Sequence, residues 1–97
     1  MYTFKIISGR EAVYQFASYI RCIPGVEDVR VEDAHTSYER GWKKFFVRIA
    51  LQAAGEEKEA LREIARLLEL SRFTYVHYND AAIEQAFEDV KYESFAH

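Results

Sequence analysis

Apolar residues alternate with polar ones over residues 2–7, with Tyr2, Phe4 and Ile6 on one side and Thr3, Lys5 and Ile7 on the other. A period of two is that of a strand, and apolar weight on both sides places it centrally in a sheet. The period then changes. Val13, Phe16, Ala17 and Ile20 stand at i, i+3, i+4 and i+7, the core-facing stripe of a helix. Ser8 and Glu11 fit a capping box at its start, each satisfying the other's orphan amide. Pro24-Gly25 marks its end, since Pro cannot continue a helix and Gly tolerates a left-handed turn. Residues 26–33 alternate again, Val29 and Val31 inward against Arg30 and Glu32 outward. The polar segment 34–41 reads as a hairpin connection longer than the two-residue minimum. Residues 43–52 form the strongest strand, with Phe45, Val47, Ile49 and Leu51 on one face and Lys44, Phe46, Arg48 and Ala50 on the other.

Gly55 and the acids Glu56, Glu57 and Glu59 precede a second helix, where its N-terminus favours negative charge. Its stripe is Leu61, Ile64, Ala65 and Leu68. The pairs Glu59 with Arg62 and Glu63 with Arg66 sit at i,i+3 on its wet side, each contributing about 0.2–0.5 kcal/mol. Residues 73–78 predict a fourth strand. Asn79 and Asp80 are both N-cap candidates for a last helix over about residues 80–95, whose stripe is Ile83, Ala86, Phe87 and Val90.

The order of periods predicts an α+β domain: a two-layer βαββαβ plait with an added C-terminal helix, spanning residues 1–97 as one unit. Two right-handed crossovers joined by a hairpin give a four-stranded antiparallel sheet in the order 4-1-3-2, with two helices on one face. The other face would show Thr3, Lys5, Ile7, Arg30, Glu32, Lys44, Phe46 and Arg48. It also takes one set from the last strand, either Thr74, Val76 and Tyr78 or Phe73, Tyr75 and His77. That face is too apolar at its centre to be simply wet. Three covers are open: the C-terminal helix folded over Ile7, Phe46 and Val76, a second chain packed sheet to sheet, or a ligand or partner.

Composition narrows the class. A chain of 97 residues has room for one domain, burying roughly 60–65% of its unfolded surface. Aromatics reach 15%, so several should meet an interface, where such residues concentrate. The single Cys22 excludes an intramolecular disulfide and a four-cysteine zinc site, and it reads as a buried structural thiol. No secretory pattern and no run of about 18 apolar residues occurs, so the expectation is a cytoplasmic protein without a membrane partner. A net charge of −3 argues against general binding to nucleic acid or anionic lipid.

The run Ile23-Pro24-Gly25-Val26-Glu27-Asp28-Val29-Arg30-Val31 resembles the helix-to-second-strand junction of ACT-type regulatory domains and of heavy-metal-associated domains. In both, a Pro-Gly-Val-x-x-Val phrase follows the first helix. The resemblance covers about nine residues and, through the order of elements, implies a ferredoxin-like fold. Heavy-metal-associated domains carry two cysteines before the first helix. Here that loop is Ser8-Gly9-Arg10, which removes thiolate metal binding. Of the Asp and Pro-Gly typical of amino-acid-binding ACT domains, only Gly9 is kept.

Candidate chemistry is sparse. His35 lies with Asp33, Tyr38 and Glu39 in the polar hairpin, and His77 lies on the last strand; each could serve as an acid or base. Each also has a plain reading, a solvated turn for His35 and a satisfied strand residue for His77. Arg40-Gly41-Trp42-Lys43-Lys44-Phe45-Phe46-Val47-Arg48 has the flavour of an RNA-stacking strand, but the matching positions Lys44 and Lys5 are not aromatic. A basic strand facing the acids Glu84, Glu88, Asp89 and Glu93 of the last helix explains that run equally well. The expectation is a non-enzymatic regulatory or protein-interaction domain, homodimeric, using the open sheet face and the C-terminal helix. Its partner-binding residues would be Lys44, Phe46, Arg48, Tyr78, Tyr92 and Phe95, with no metal and no cofactor. The alternative is a small dimeric plait enzyme using His35 or His77, and the third is an RNA-binding plait.

Overall fold

The computed structural model describes residues 1–52, 57–71, 73, 75–78 and 80–95, the side chains of Tyr75 and residues 91–95 excepted. Four strands and three helices follow in the order β1 (Tyr2–Ser8), α1 (Arg10–Arg21), β2 (Val26–Ser37), β3 (Lys43–Leu51), α2 (Glu57–Ser71), β4 (Tyr75–Tyr78) and α3 (Ala81–Phe95). A short 3₁₀ turn, Glu39–Gly41, joins β2 to β3. The strands form one antiparallel sheet in the order β2-β3-β1-β4. This is the expected 4-1-3-2 order read from the other edge, a plait-like arrangement.

The period-two pattern decides which side of the sheet is buried. Phe4 and Ile6 of β1 and Phe45, Val47 and Ile49 of β3 are essentially inaccessible. They meet Val13, Phe16, Ala17 and Ile20 of α1 and Leu61, Ile64, Ala65 and Leu68 of α2, so both predicted stripes face this core. Phe73, ahead of β4, packs edge-on to Phe16 with ring centroids 5.3 Å apart. The wet side of α2 carries the two expected ion pairs, Glu59–Arg62 at 3.5 Å and Glu63–Arg66.

The third helix does not cross to the open face. Its stripe, Ile83, Ala86, Phe87 and Val90, is buried in the same core as α1 and α2. Phe87 stacks on Tyr78 with centroids 4.8 Å apart and planes 5° from parallel. Tyr78 in turn meets the edge of buried Phe4 at 6.2 Å. Arg62 of α2 reaches Asp89 of α3 at 3.7 Å, holding the two helices side by side. All three helices therefore cover one face. The cover of Ile7, Phe46 and Val76 by α3 is excluded, and the acids of α3 do not oppose the basic strand.

Local details correct other expectations. Ser8 is the last residue of β1, paired with Lys43 and buried, so its backbone is committed to the ladder. The helix is capped instead by Gly9, without a side-chain hydrogen bond, and no capping box forms. Strand β2 continues through Ser37 with an irregularity between Asp33 and Ser37, so residues 34–37 are strand and the connection is shorter than expected. Cys22 is exposed, its thiol turned to the Ser18 carbonyl at 3.5 Å, because it stands four residues after exposed Ser18 and off the stripe of Val13, Phe16, Ala17 and Ile20. Strand β4 begins at Tyr75 rather than at 73. At α3, the Asp80 carboxylate accepts from the Ala82 amide at 2.8 Å, the predicted cap. The expectations for Gly55, Glu56, Thr74 and Asn79 lie outside the described residues.

Because α3 completes the core, Phe87→Ala should cost about 3–5 kcal/mol, the usual range for emptying a buried aromatic site. Urea denaturation checks this. A loss below about 1 kcal/mol, the scale of a change outside the core, would show that α3 packs loosely.

Candidate functional site

The side of the sheet opposite the helices is a flat surface built by alternation from all four strands. Direct cross-strand partners share a face, so the register gives its layout. One row runs Glu32–Phe46–Lys5–His77 across β2, β3, β1 and β4. The row beside it is Arg30–Arg48–Thr3, and on the other side lies Lys44–Ile7. Phe46 is the aromatic at the centre of the middle row, half-buried by its neighbours rather than by any covering element.

The charges on this face are arranged unevenly. Arg30 and Arg48 are direct cross-strand partners, an unfavourable contact between like charges. Each is matched by an acid on β2. Asp28 accepts from Arg30 Nε at 2.9 Å, and Glu32 takes Arg48 in a two-pronged contact at 3.1 and 3.3 Å. The Arg48 guanidinium also lies 5.9 Å from the centroid of the Phe46 ring, a cation–π distance. Lys5 and Lys44 differ. Among the described residues neither ammonium has a carboxylate within ion-pair distance. Acid thus concentrates on the β2 edge and uncompensated base on β1 and β3.

At one end of this face the β2–β3 connection folds a corner. Tyr38 N donates to the Trp42 carbonyl at 2.7 Å and closes a turn in which Arg40 and Gly41 both adopt left-handed backbone, at φ 65° and 76°. Ile7, Tyr38, Glu39, Arg40 and Trp42 line a shallow hollow of about 430 Å³ there. Two further hollows lie on the helical side, one of about 570 Å³ between α2 and α3 and one of about 250 Å³ beside Pro24.

The expected site residues separate into groups. Lys44, Phe46 and Arg48 come together on the open face. Tyr78 does not join them. Its ring lies between Phe4 and Phe87 on the helical side, because the β4 register puts His77, not Tyr78, opposite Lys5. The side chains of Tyr92 and Phe95 lie outside the described part. His77 is exposed on the open face, whereas His35 sits in the β2 irregularity at φ 56°, its amide donating to Asp33 Oδ1 at 2.7 Å. Neither histidine lines any of the three hollows, and no group of metal-ligating side chains gathers among the described residues. Phe46 is flanked by Glu32 and Lys5, so its cross-strand neighbours are an acid and a lysine where RNA stacking wants further aromatics.

The sequence pattern puts Lys5, Ile7 and Glu32 on this face without singling them out; their alternation with core residues is the whole signal. The corner at Arg40 falls in the segment that the pattern predicts only as a hairpin connection. Gly41 is its one signal, since arginine has no particular liking for left-handed backbone.

The model of a family described as "Protein of unknown function (DUF3928)" matches residues 1–95. No curated protein matches the chain. No helix among the described residues is long and apolar enough to cross a membrane.

The left-handed conformation of Arg40 costs an L-residue about 1–2 kcal/mol, partly offset in glycine by about 0.5–1 kcal/mol of extra unfolded-state freedom. Arg40→Gly should therefore stabilise the fold by up to about 1 kcal/mol in chemical denaturation. A loss of stability would show that the Arg40 side chain holds the corner through its own contacts.

Proposed function

The chain belongs to this family of unknown function, whose model spans nearly all of it, and from that premise we propose a non-enzymatic regulatory and protein-interaction domain. It is ferredoxin-like in topology, works in the cytoplasm, and acts through its open sheet face as a homodimer. The observation that carries this reading is the one-sidedness of the fold. Three helices share one core on one side of the sheet, and among the described residues no element lies over the other side. That other side places a phenylalanine at its centre, between Glu32 and Lys5 across the strands and between Lys44 and Arg48 along its own. Aromatic and arginine side chains are those on which interfaces concentrate their binding energy.

The size of the face fits this role. Four strands about 4.8 Å apart and seven residues at about 3.3 Å each give a patch of roughly 19 by 23 Å. Such a patch falls at the small, transient end of specific interfaces. Its assembly is accordingly reversible and depends on concentration. The C-terminal helix, expected to take part directly, contributes by completing the core on the far side and leaving the face free.

Light scattering after size exclusion checks the reading. The chain should elute with twice its 11.4-kDa mass, and Phe46→Glu should give a folded monomer with unchanged circular dichroism. A Phe46→Glu chain that remains dimeric would place the interface elsewhere.

A further inference from the structure

We infer that the hollow at the β2–β3 corner is a binding site for a small aromatic anion, a planar ring bearing one carboxylate or phosphate group. The ring rests against Trp42, Tyr38 and Ile7, and its anionic end meets Arg40 and Lys44. The site is separate from the dimeric reading above, and neither depends on the other.

The shape of the corner provides for the ring. The Tyr38 amide donates to the Trp42 carbonyl at 2.7 Å, which closes the turn and brings the two aromatic residues at its ends together. Ile7 of β1 adds an aliphatic wall. The space they line is about 430 Å³, within the roughly 300–1,000 Å³ of small-molecule sites. Tyr38 is 40% exposed, and Trp42 and Ile7 are half-buried, so this apolar surface is open to solvent and not spent on the core. Such side chains take a second ring edge-on or in an offset stack.

The charges provide for the anion. Arg40 holds left-handed backbone at φ 65°, a conformation disfavoured for most residues that carry a side chain. Among the described residues no carboxylate lies within ion-pair distance of its guanidinium, so no ion pair there offsets that cost. Strained residues of this kind gather at ligand clamps. Lys44, directly opposite Ile7 in the ladder, also lacks an acid partner among the described residues. Two unmatched cations thus adjoin an aromatic-lined hollow, and the planar fork of arginine fits the paired oxygens of a carboxylate or phosphate. Glu39 lines the same hollow and narrows the class. A compact polyanion sets negative charge against Glu39 whichever way it turns, and a neutral ring leaves both cations unmatched. A ring with a single anionic end points that end at Arg40 and keeps its uncharged part toward Glu39.

Trp42 is the single tryptophan of the chain, so its fluorescence reads occupancy of the hollow directly. The full chain is titrated with phenyl phosphate and with benzoate, and in parallel with inorganic phosphate, which lacks the ring, and benzyl alcohol, which lacks the charge. At least one of the two aromatic anions should give a saturable change in Trp42 emission, and the one that binds tighter identifies the anionic group. Both controls should bind about tenfold more weakly or worse. Arg40→Asn removes the cation while keeping a residue that tolerates left-handed backbone, and it should weaken binding by about tenfold or more, the scale of a lost charge-assisted hydrogen bond. Circular dichroism checks its fold, and Arg40→Gly serves in its place should it fold poorly. No saturable change with either aromatic anion overturns the site. Inorganic phosphate binding as tightly as phenyl phosphate, benzyl alcohol binding as tightly as benzoate, or a folded Arg40 variant that keeps full affinity overturns it equally. Light scattering on the same samples reports the dimer separately, so failure of the site leaves that reading untouched and failure of the dimer leaves the site untouched.

Discussion

The stack of Phe87 on Tyr78, braced by the edge of Phe4, decides which side of the sheet the third helix occupies, and the character of the other side follows from it. A helix that follows a short edge strand can turn to either face. Here β4 points Val76 and Tyr78 toward the core, so the apolar stripe of α3 finds its complement on the side already held by α1 and α2. The Arg62–Asp89 pair lies beside this contact, but it is partly exposed and contributes little next to the buried rings. With three helices on one side, a single core is complete and the opposite face is left with the alternate residues of every strand.

Alternation mixes apolar and charged residues on that face. Phe46, Ile7 and Ala50 are there because their neighbours Phe45, Val47 and Ile6 are needed in the core. The β2 acids are needed because Arg30 and Arg48 stand opposite each other. What the intrachain pairing leaves over is a central aromatic and, among the described residues, two lysines without an acid partner.

The element order, the sheet order and nearly all the core were legible in the residues, because hydrophobic periods of 2 and 3.6 report directly on which side chains are buried. Val13, Phe16 and Ile20 are examples. What was not legible depended on long-range choices. Tyr78 and His77 are adjacent, and only the register of β4 against β1 determines which of them faces outward. Ser8 matched a capping box, yet pairing with Lys43 kept it in the strand. The continuation of β2 through Ser37 depends on His35 taking left-handed backbone, braced by Asp33, which no hydrophobic pattern encodes. Of the expected surface, Lys44, Phe46 and Arg48 come together for the reason the pattern gave, strict alternation in β3.

A dilution series followed by amide NMR tests the central claim, occupation of the open face, most directly. The account predicts that dilution from millimolar to micromolar concentration shifts the signals of Lys5, Glu32, Phe46 and Arg48, while those of α1 and α2 stay fixed. Shifts confined to the helices, or none anywhere, would contradict it.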